Sequence, residues 1–441
     1  MSLIRDIDTQ DLIARVSDGG YDELLKAGRR VHHCSRPVKL SSDDPKEHGR
    51  PPFGFSKSSR SDFSEILFTA CGTRRANLCK ACSDLYKGDA RRIIGLGLSR
   101  VCIQSRRDLS AVFVTFTAPS FGSVHRATKK GNSCHPASGV CTHGLPFGCY
   151  RHHSDTDELV GSPLCADCYD YEGAVVFNAV SGKLWQRTTI YLRRKLAHLL
   201  GLTVKEFKQT FVLSYVKVVE FQRRGLIHLH VIIRLDDHEG AHPIDIDSGL
   251  LDTAVRMSAV SSSIPSPIGD GNHVTWGEQL DIKIIDSAFQ RKARNYLAKY
   301  ATKSATDAPG LDHRLHSEAA IDAAGCSSHL KEMARTALRL SKDQRYEDLR
   351  LDRWAHDLGH RGHFLTKSRA YSVTFAYLRS LRQAWQVANA TDETTFTFPS
   401  RLYYVGSGWP HPIDIAIITA AYDDRCFARQ MALEEREEVN L

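Results

Sequence analysis

Two histidines on either side of a leucine are the residues in this chain that most clearly could do chemistry. His228 and His230 flank Leu229 in a run rich in β-forming residues, so their side chains share one face of a predicted strand. With 21 His among 441 residues, chance supplies roughly 0.4 triplets of this kind per chain. The triplet therefore gains meaning only from the residues around it.

The residues before the triplet predict a β-hairpin. Two β-rich runs, Ser214–Gln222 and Leu226–Arg234, enclose a three-residue loop that ends in Gly225, where a left-handed backbone is favoured. Folding the chain at this loop pairs Glu220 with His228, at a cross-strand Cβ distance of about 5 Å. Glu220, His228 and His230 are then expected to converge on one face of the sheet.

Two imidazoles and a carboxylate, with coordination positions left over, suit a divalent cation such as Mg²⁺ or Mn²⁺ that also contacts a phosphate oxygen. The alternative is an exposed hairpin face whose polar residues are merely solvated. Under either interpretation, Leu229, Val231 and Ile233 on the opposite face belong to the core.

A second group of reactive residues follows on a predicted helix. Asp286 or Ser287 can cap a helix that runs on to Lys303, and Ser287 with Gln290 fits a capping box. Its tyrosines and lysines form two Tyr-x-x-Lys pairs, Tyr296/Lys299 and Tyr300/Lys303. The tyrosines are four residues apart and share a helix face, where either could act as a nucleophile activated by a metal or a lysine. An ordinary amphipathic helix with two packing tyrosines is the alternative.

This order of motifs, preceded by the apolar strand Ala111–Ser120, resembles the HUH endonucleases that start rolling-circle replication. The chain is similar, more closely, to the replication initiator family of actinobacterial plasmids and integrative conjugative elements. That resemblance spans roughly residues 34 to 377. The segments that carry it are Cys71–Cys82, Pro163–Tyr171, Gln222–His230, Tyr296–Lys303 and Gly362–Ser372.

The resemblance implies a site-specific nick in single-stranded origin DNA, a 5′-phosphotyrosine link and a free 3′-hydroxyl for a host polymerase. Whether Tyr296, Tyr300 or both attack is left open by the sequence. No Walker A motif is present, so a host helicase is expected as a partner. Two other functions stay open: a non-enzymatic zinc protein that regulates by binding DNA, and a relaxase or single-strand transposase with the same chemistry.

The cysteines predict structural zinc. Ten of the twelve precede residue 170, and no secretion signal or membrane span is seen, so a reducing cytoplasm is expected in place of a disulfide framework. Cys102, Cys326 and Cys426 fit reduced, buried cysteines better. The proposed ligands of the first zinc ion are Cys34, Cys71, Cys79 and Cys82, and those of the second are Cys149, His153, Cys165 and Cys168, with Cys134, Cys141 and His143 as alternates. A further ion in the second group is left open.

The remaining features bound the class of protein. The 59 Lys and Arg exceed the 51 Asp and Glu, giving a net charge of +8 that suits a polyanionic partner. Antiparallel strands interleaved with helices predict an α+β fold with a ferredoxin-like or RNA-recognition-like sheet, which the resemblance also implies. The predicted divisions are an N-terminal zinc region at 1–105, a nicking domain at 106–310 with a zinc-bearing insertion at about 122–172, and a mainly helical region at 311–441 that is expected to bind origin DNA.

Overall fold

The computed structural model is mixed α and β, with antiparallel sheets, as an α+β fold requires. It forms two compact units, one made of residues 1–89 and 378–441 and the other of residues 90–377. The three-part division stays a prediction. The structure describes residues 10, 13, 17, 20–41, 66–98, 111–240, 243–244, 246–269, 271–285, 287–302, 311, 314–388 and 401–439.

The described helices and strands are numbered here in chain order. The helices are α1 (Gly20–Arg30), α2 (Lys80–Leu98), α3 (Tyr171–Leu199), α4 (Val204–Thr210), α5 (Ser248–Ser261), α6 (Ser287–Thr302), α7 (Glu318–Asp322), α8 (Ser328–Leu340), α9 (Leu351–Trp354), α10 (Phe375–Ala388) and α11 (Pro412–Val439). The strands are β1 (Val38–Ser41), β2 (Ile66–Thr69), β3 (Ala111–Phe116), β4 (Phe211–Phe221), β5 (Ile227–Asp237), β6 (Ser263–Pro265), β7 (His273–Thr275), β8 (Leu280–Ile284), β9 (Leu365–Lys367) and β10 (Tyr403–Ser407).

The smaller unit is built on a three-stranded antiparallel sheet in the order β10-β1-β2. Its apolar core includes Leu24 of α1, Ile417 and Ile418 of α11, and Trp409. Trp409 stacks on Phe68 of β2 with ring centroids 4.8 Å apart. The first half of α2 also belongs to this unit, so sheet and helices share one small core.

The larger unit is organised by a five-stranded antiparallel sheet in the order β8-β3-β5-β4-β9. One face of this sheet is apolar: Leu229, Val231 and Ile233 of β5 are fully buried, as predicted. They share a core with α3 and α5, to which Trp185 of α3 contributes. Full burial of such side chains contributes roughly 1.5–3 kcal/mol each. The opposite face carries His228, His230 and their neighbours, and α6 packs against it at β4.

The predicted hairpin between β4 and β5 is confirmed. Glu220 pairs with His228 and Phe221 with Ile227. The turn closes when the N–H of Gly225 donates to the carbonyl of Gln222 at 2.9 Å. Gly225 has a φ of +73°, the left-handed conformation expected for its position in the loop.

Helix α3 begins at a side-chain cap. It starts at Tyr171 because Asp170 caps it and accepts the N–H of Gly173 at 2.8 Å. Gly173 weakens the local helical signal, and tertiary burial of the following turn compensates for it. No helix in the described part of the chain combines the length and apolar character that crossing a membrane would need.

We predict that Gly225→Ala destabilises the larger unit. An added Cβ would strain the left-handed backbone and come 2.3 Å from Sδ of Met333. Loss of roughly 1–3 kcal/mol of unfolding free energy is expected, measured by denaturant titration. Gly182→Ala is the matched control, since Gly182 lies within α3 with nothing near its Cβ position. That change should stabilise the protein by about 0.5–1 kcal/mol, and equal effects of the two substitutions would contradict the account.

A second prediction concerns Lys217, a β4 residue on the apolar face that is only 6 % exposed. Burial lowers the pKa of this lysine from 10.5 to about 8. Below pH 8 the charged amine therefore destabilises the fold in full, and this cost disappears as the pH rises towards 10.5.

Lys217→Met should raise the unfolding free energy at pH 7 by on the order of 3 kcal/mol, with a gain that shrinks between pH 8 and 10.5. Lys208→Met, at an exposed position of α4, should change it by less than about 0.5 kcal/mol. A gain that did not depend on pH would show that the buried charge is not the cause.

Candidate metal and nucleophile site

Glu220, His228 and His230 converge near the turn end of the β4–β5 hairpin. Glu220 lies opposite His228, and its Oε2 lies 2.7 Å from Nε2 of His230. One potential ligand atom from each of the three residues lies within 4.8 Å of the others. The predicted convergence on one face is therefore confirmed, while binding of a metal by these residues stays a prediction.

The protonation state of Glu220, His228 and His230, called the triad below, suits a divalent cation. Nε2 of His228 is buried and has no hydrogen-bond partner in the described part of the chain. Burial and the nearby His230 lower the pKa of His228 to about 4, so its imidazole is neutral at pH 7. A neutral imidazole beside a carboxylate offers the lone pairs that a metal ion needs.

Strand β3 fixes the orientation of His230. Thr115 pairs with His230 in the sheet, and its Oγ1 lies 3.1 Å from Nδ1 of the ring. The ring of Phe113 stacks on His230, with centroids 5.9 Å apart and planes at 19°. With Nδ1 held by Thr115, Nε2, which faces the Glu220 carboxylate, is the nitrogen of His230 that could act as a ligand, as is usual for metal-binding histidines.

Helix α6 places Tyr296 beside this histidine. The Tyr296 ring meets the ring of His230 edge-on, at a centroid distance of 5.2 Å and an angle of 89°. It also meets Phe113 edge-on at 5.6 Å. The Tyr296 side chain is 41 % exposed, while the neighbouring Leu297 is buried. Leu297 therefore holds the helix against the protein, and the ring of Tyr296 stays accessible.

Other predicted residues of this helix are described only in part. Lys299 is exposed on α6. Tyr300 is helical, but its side chain lies outside the described residues, as do Lys303 and Asp286 and the side chains of the predicted capping box. The roles predicted for these residues stay predictions.

The smaller unit brings together the first predicted cysteine set. Cys34, Cys71, Cys79 and Cys82 each offer a sulfur within 4.8 Å of the other three. The Sγ atoms of Cys34 and Cys79 lie 3.8 Å apart, and the backbone N–H of Cys71 donates to Sγ of Cys34 at 3.3 Å. Four clustered sulfurs, three of them on buried residues, form a set that could hold a tetrahedral zinc ion.

The second predicted set is divided between two clusters. Cys149 and His153 lie with His125 and Cys134, whereas Cys165 and Cys168 lie with Cys141 and His143. The expected combination of Cys149 and His153 with Cys165 and Cys168 is therefore not what the structure brings together. The insertion folds back on itself at the bridge between His135 and Cys149, which carries Cys149 away from the Cys165-x-x-Cys168 pair. Each new cluster could hold a zinc ion.

Some residues around these clusters had no signal in the sequence. His125 is one of 21 histidines, and no Cys-x-x-Cys spacing marks it. Asp157 accepts a hydrogen bond from Nδ1 of His153 at 2.7 Å, a partner that only the folded insertion reveals. Cys326 and Cys426 are free cysteines but are only partly buried, less than the sequence predicts, while Cys102 lies outside the described residues.

Comparison with known proteins identifies the class. The family model RepSA, described as "Replication initiator protein, pSAM2", matches residues 20–423. A replication initiator protein of Streptomyces ambofaciens is 38% identical over 344 residues, which are 73% of this chain and 71% of that protein. No solved structure matches the chain. The chain is thus a replication initiator. It belongs to the RepSA family, which confirms the family expected from the sequence motifs.

The cluster in the smaller unit generates a metal-content prediction. Cys82→Ser should lower the zinc bound per purified chain by one equivalent, because a hydroxyl is a poor zinc ligand at neutral pH. Cys426→Ser is the matched control, since Cys426 lies in the same unit outside the cluster. Elemental analysis of both variants decides the matter, and equal zinc contents would rule out the assignment.

Proposed function

We propose that this replication initiator nicks single-stranded origin DNA by a metal-dependent attack of tyrosine. The proposal is supported above all by one observation: Tyr296 packs against His230, and His230 shares one face with His228 and Glu220. A nucleophile beside two imidazoles and a carboxylate is the arrangement that phosphoryl transfer by a tyrosine needs.

In the proposed step, the phenolic oxygen of Tyr296 forms a bond to the scissile phosphorus as the bond from phosphorus to the 3′ oxygen breaks. The tyrosine loses its proton and the departing 3′ oxygen gains one. The result is a 5′-phosphotyrosine and a free 3′-hydroxyl. A Mg²⁺ or Mn²⁺ ion held by Glu220, His228 and His230 would polarise the phosphate and stabilise the developing charge.

The sequence left two tyrosines open, and the contacts of α6 favour Tyr296 for the first attack. Its ring lies against a proposed metal ligand, and its side chain is accessible to a substrate. Tyr300, four residues further along α6, would serve the strand transfer that ends a round. Arg291, Lys292 and Lys299 are exposed on α6 and would hold the DNA backbone through its phosphates.

The remaining parts of the proposal concern partners and structural metal. The free 3′-hydroxyl would prime a host polymerase, and a host helicase would open the duplex. The three clusters of four cysteine and histidine residues would each hold one zinc ion. These ions would be structural, because four protein ligands leave no position for a substrate.

We predict that Tyr296→Phe abolishes the covalent adduct on single-stranded origin DNA with Mg²⁺, while binding of that DNA is retained. Phenylalanine keeps the ring contacts with His230 and Phe113 but lacks the attacking oxygen. Tyr300→Phe is the matched control and should still form the adduct. Denaturing gels and mass spectrometry of the DNA-linked peptide give the measurement.

The outcomes also separate the competing functions. An adduct that persists in the Tyr296→Phe and Tyr300→Phe double variant would refute the tyrosine mechanism. A DNA-binding regulator would bind the origin without an adduct and would tolerate loss of His228 and His230. A relaxase or transposase would form the adduct on transfer-origin or element-end DNA in preference to a replication origin.

A further inference from the structure

The insertion between β3 and α3, which is predicted to bind zinc, directly contacts the β4–β5 turn beside the candidate active site. The guanidinium of Arg223, in the β4–β5 turn, donates to the backbone carbonyl of Asp157 at 3.0 Å. Gly161 lies so close that an added Cβ would come 2.5 Å from the carbonyl carbon of Arg223. The insertion loop from Asp157 to Ser162 is thus packed against the loop of the hairpin.

Two histidines of one cluster hold this insertion loop in place. Nδ1 of His153 donates to the Asp157 carboxylate at 2.7 Å. The backbone of His125 pairs with the loop on its other side: its carbonyl accepts the N–H of Gly161, and its N–H donates to the carbonyl of Ser162, both at 2.8 Å. Both ends of the loop therefore depend on the positions of His125 and His153.

These histidines belong to the same potential metal site. His125 and His153 lie with Cys134 and Cys149, with each ligand atom within 4.8 Å of the others. Nε2 of His153 lies 3.3 Å from Sγ of Cys149, and Nδ1 of His125 lies 3.9 Å from Sγ of Cys134. His153 is fully buried, and its other nitrogen is taken by Asp157, the usual arrangement for a zinc-bound imidazole.

The insertion has little else to fix its shape. Between β3 and α3 its described residues form turns, bends and isolated bridges in place of helices or strands. A segment this short buries too little apolar surface to order itself, so metal ions commonly supply the folding energy. The positions of His125 and His153, and hence of the loop, would then depend on the ion.

We propose that His125, Cys134, Cys149 and His153 form a zinc site of their own, and that its ion positions the β4–β5 turn through Asp157 and Arg223. Glu220 and His228 form the second cross-strand pair from this turn. Zinc at the insertion would thereby tune the affinity of the Glu220–His228–His230 site for its own cation, a consequence that rests on the proposed function. Arg223 and Asp157 are positioning residues in this account and touch neither metal.

The test compares two equivalent ligand exchanges in the full chain. His153→Cys supplies a fourth ligand to the zinc ion but removes the N–H that holds Asp157. His143→Cys is the matched control in the other cluster of the insertion, where the histidine faces Cys165 and Cys168. Arg223→Met breaks the link at its far end without altering either cluster.

Three quantities are measured: zinc per chain, Mn²⁺ binding by electron paramagnetic resonance, and amide exchange at Gln222 and Gly225. Wild type should hold three zinc ions, one for each cluster of four. His153→Cys and Arg223→Met should weaken Mn²⁺ binding by about fivefold or more and speed exchange in the turn. His143→Cys should leave both unchanged.

The coupling would be overturned if a zinc-loaded His153→Cys variant and the Arg223→Met variant both kept wild-type Mn²⁺ affinity and slow amide exchange in the turn. If His153→Cys loses zinc, Arg223→Met decides the question alone. Two zinc ions in the wild type would overturn the separate site. If the wild type shows no Mn²⁺ binding that depends on His228 and His230, the proposed function fails. In that case, amide exchange in the turn and the zinc content still test whether the zinc ion of the insertion positions the β4–β5 turn.

Discussion

The short turn between β4 and β5 is the constraint on which the site depends. Asn178, fully buried in α3, holds it with both ends of its amide. Nδ2 donates to the carbonyls of Gly225 at 2.8 Å and Leu358 at 3.0 Å, while Oδ1 accepts the N–H of Ile227 at 3.2 Å. A slip of one residue would break these bonds and would turn Glu220 or His228 towards the apolar face.

The turn is also tied to the strand that orients His230. The guanidinium of Arg224 donates to the carbonyls of Ala118 and Pro119, just beyond β3, at 3.1 and 3.2 Å. On the other side, the carbonyl of Arg224 lies 3.0 Å from Nε2 of His329 in α8. The strand that carries Thr115 and the hairpin that carries the triad are thereby fixed to one another. Since ligand geometry must hold to a fraction of an ångström, such bracing is a condition for a defined metal site.

The parts of this structure that the sequence predicts are those governed by local periodicity. Side chains alternate between the two faces of the sheet along Ser214–Arg234, and Gly225 ends the three-residue loop. These two features are enough to predict that Glu220 pairs with His228. The ligand sets of the insertion are different. Cys149 could join any of several cysteines by spacing alone, and only the long-range pairing with His135 selects its neighbours. The contact of Asp157 with the turn likewise produces no periodic pattern in the sequence, so the sequence could not predict it.

One face of β5 carries two polar clusters that are chemically opposite. At its far end, Arg234 is fully buried and bonds Asp236 through Nε at 2.7 Å and Nη2 at 3.2 Å, while its remaining donors reach the carbonyls of Gly97 and Tyr371. Every guanidinium nitrogen is satisfied by protein, so this ion pair serves to hold the sheet to its surroundings. Ile232 lies two residues from Arg234 on the same face. This apolar side chain separates the Arg234–Asp236 ion pair from Glu220, His228 and His230.

The hydrogen bonding of the triad differs from that of the Arg234 cluster. His228 keeps a buried nitrogen without a hydrogen-bond partner in the described part of the chain, which costs about 1–3 kcal/mol when no further ligand completes its bonding. A bound metal ion is one partner that would complete the bonding of this nitrogen. The contrast between the saturated Arg234 cluster and the His228 cluster, on one strand and one face, therefore supports the proposed metal-binding role of the second and a structural role of the first.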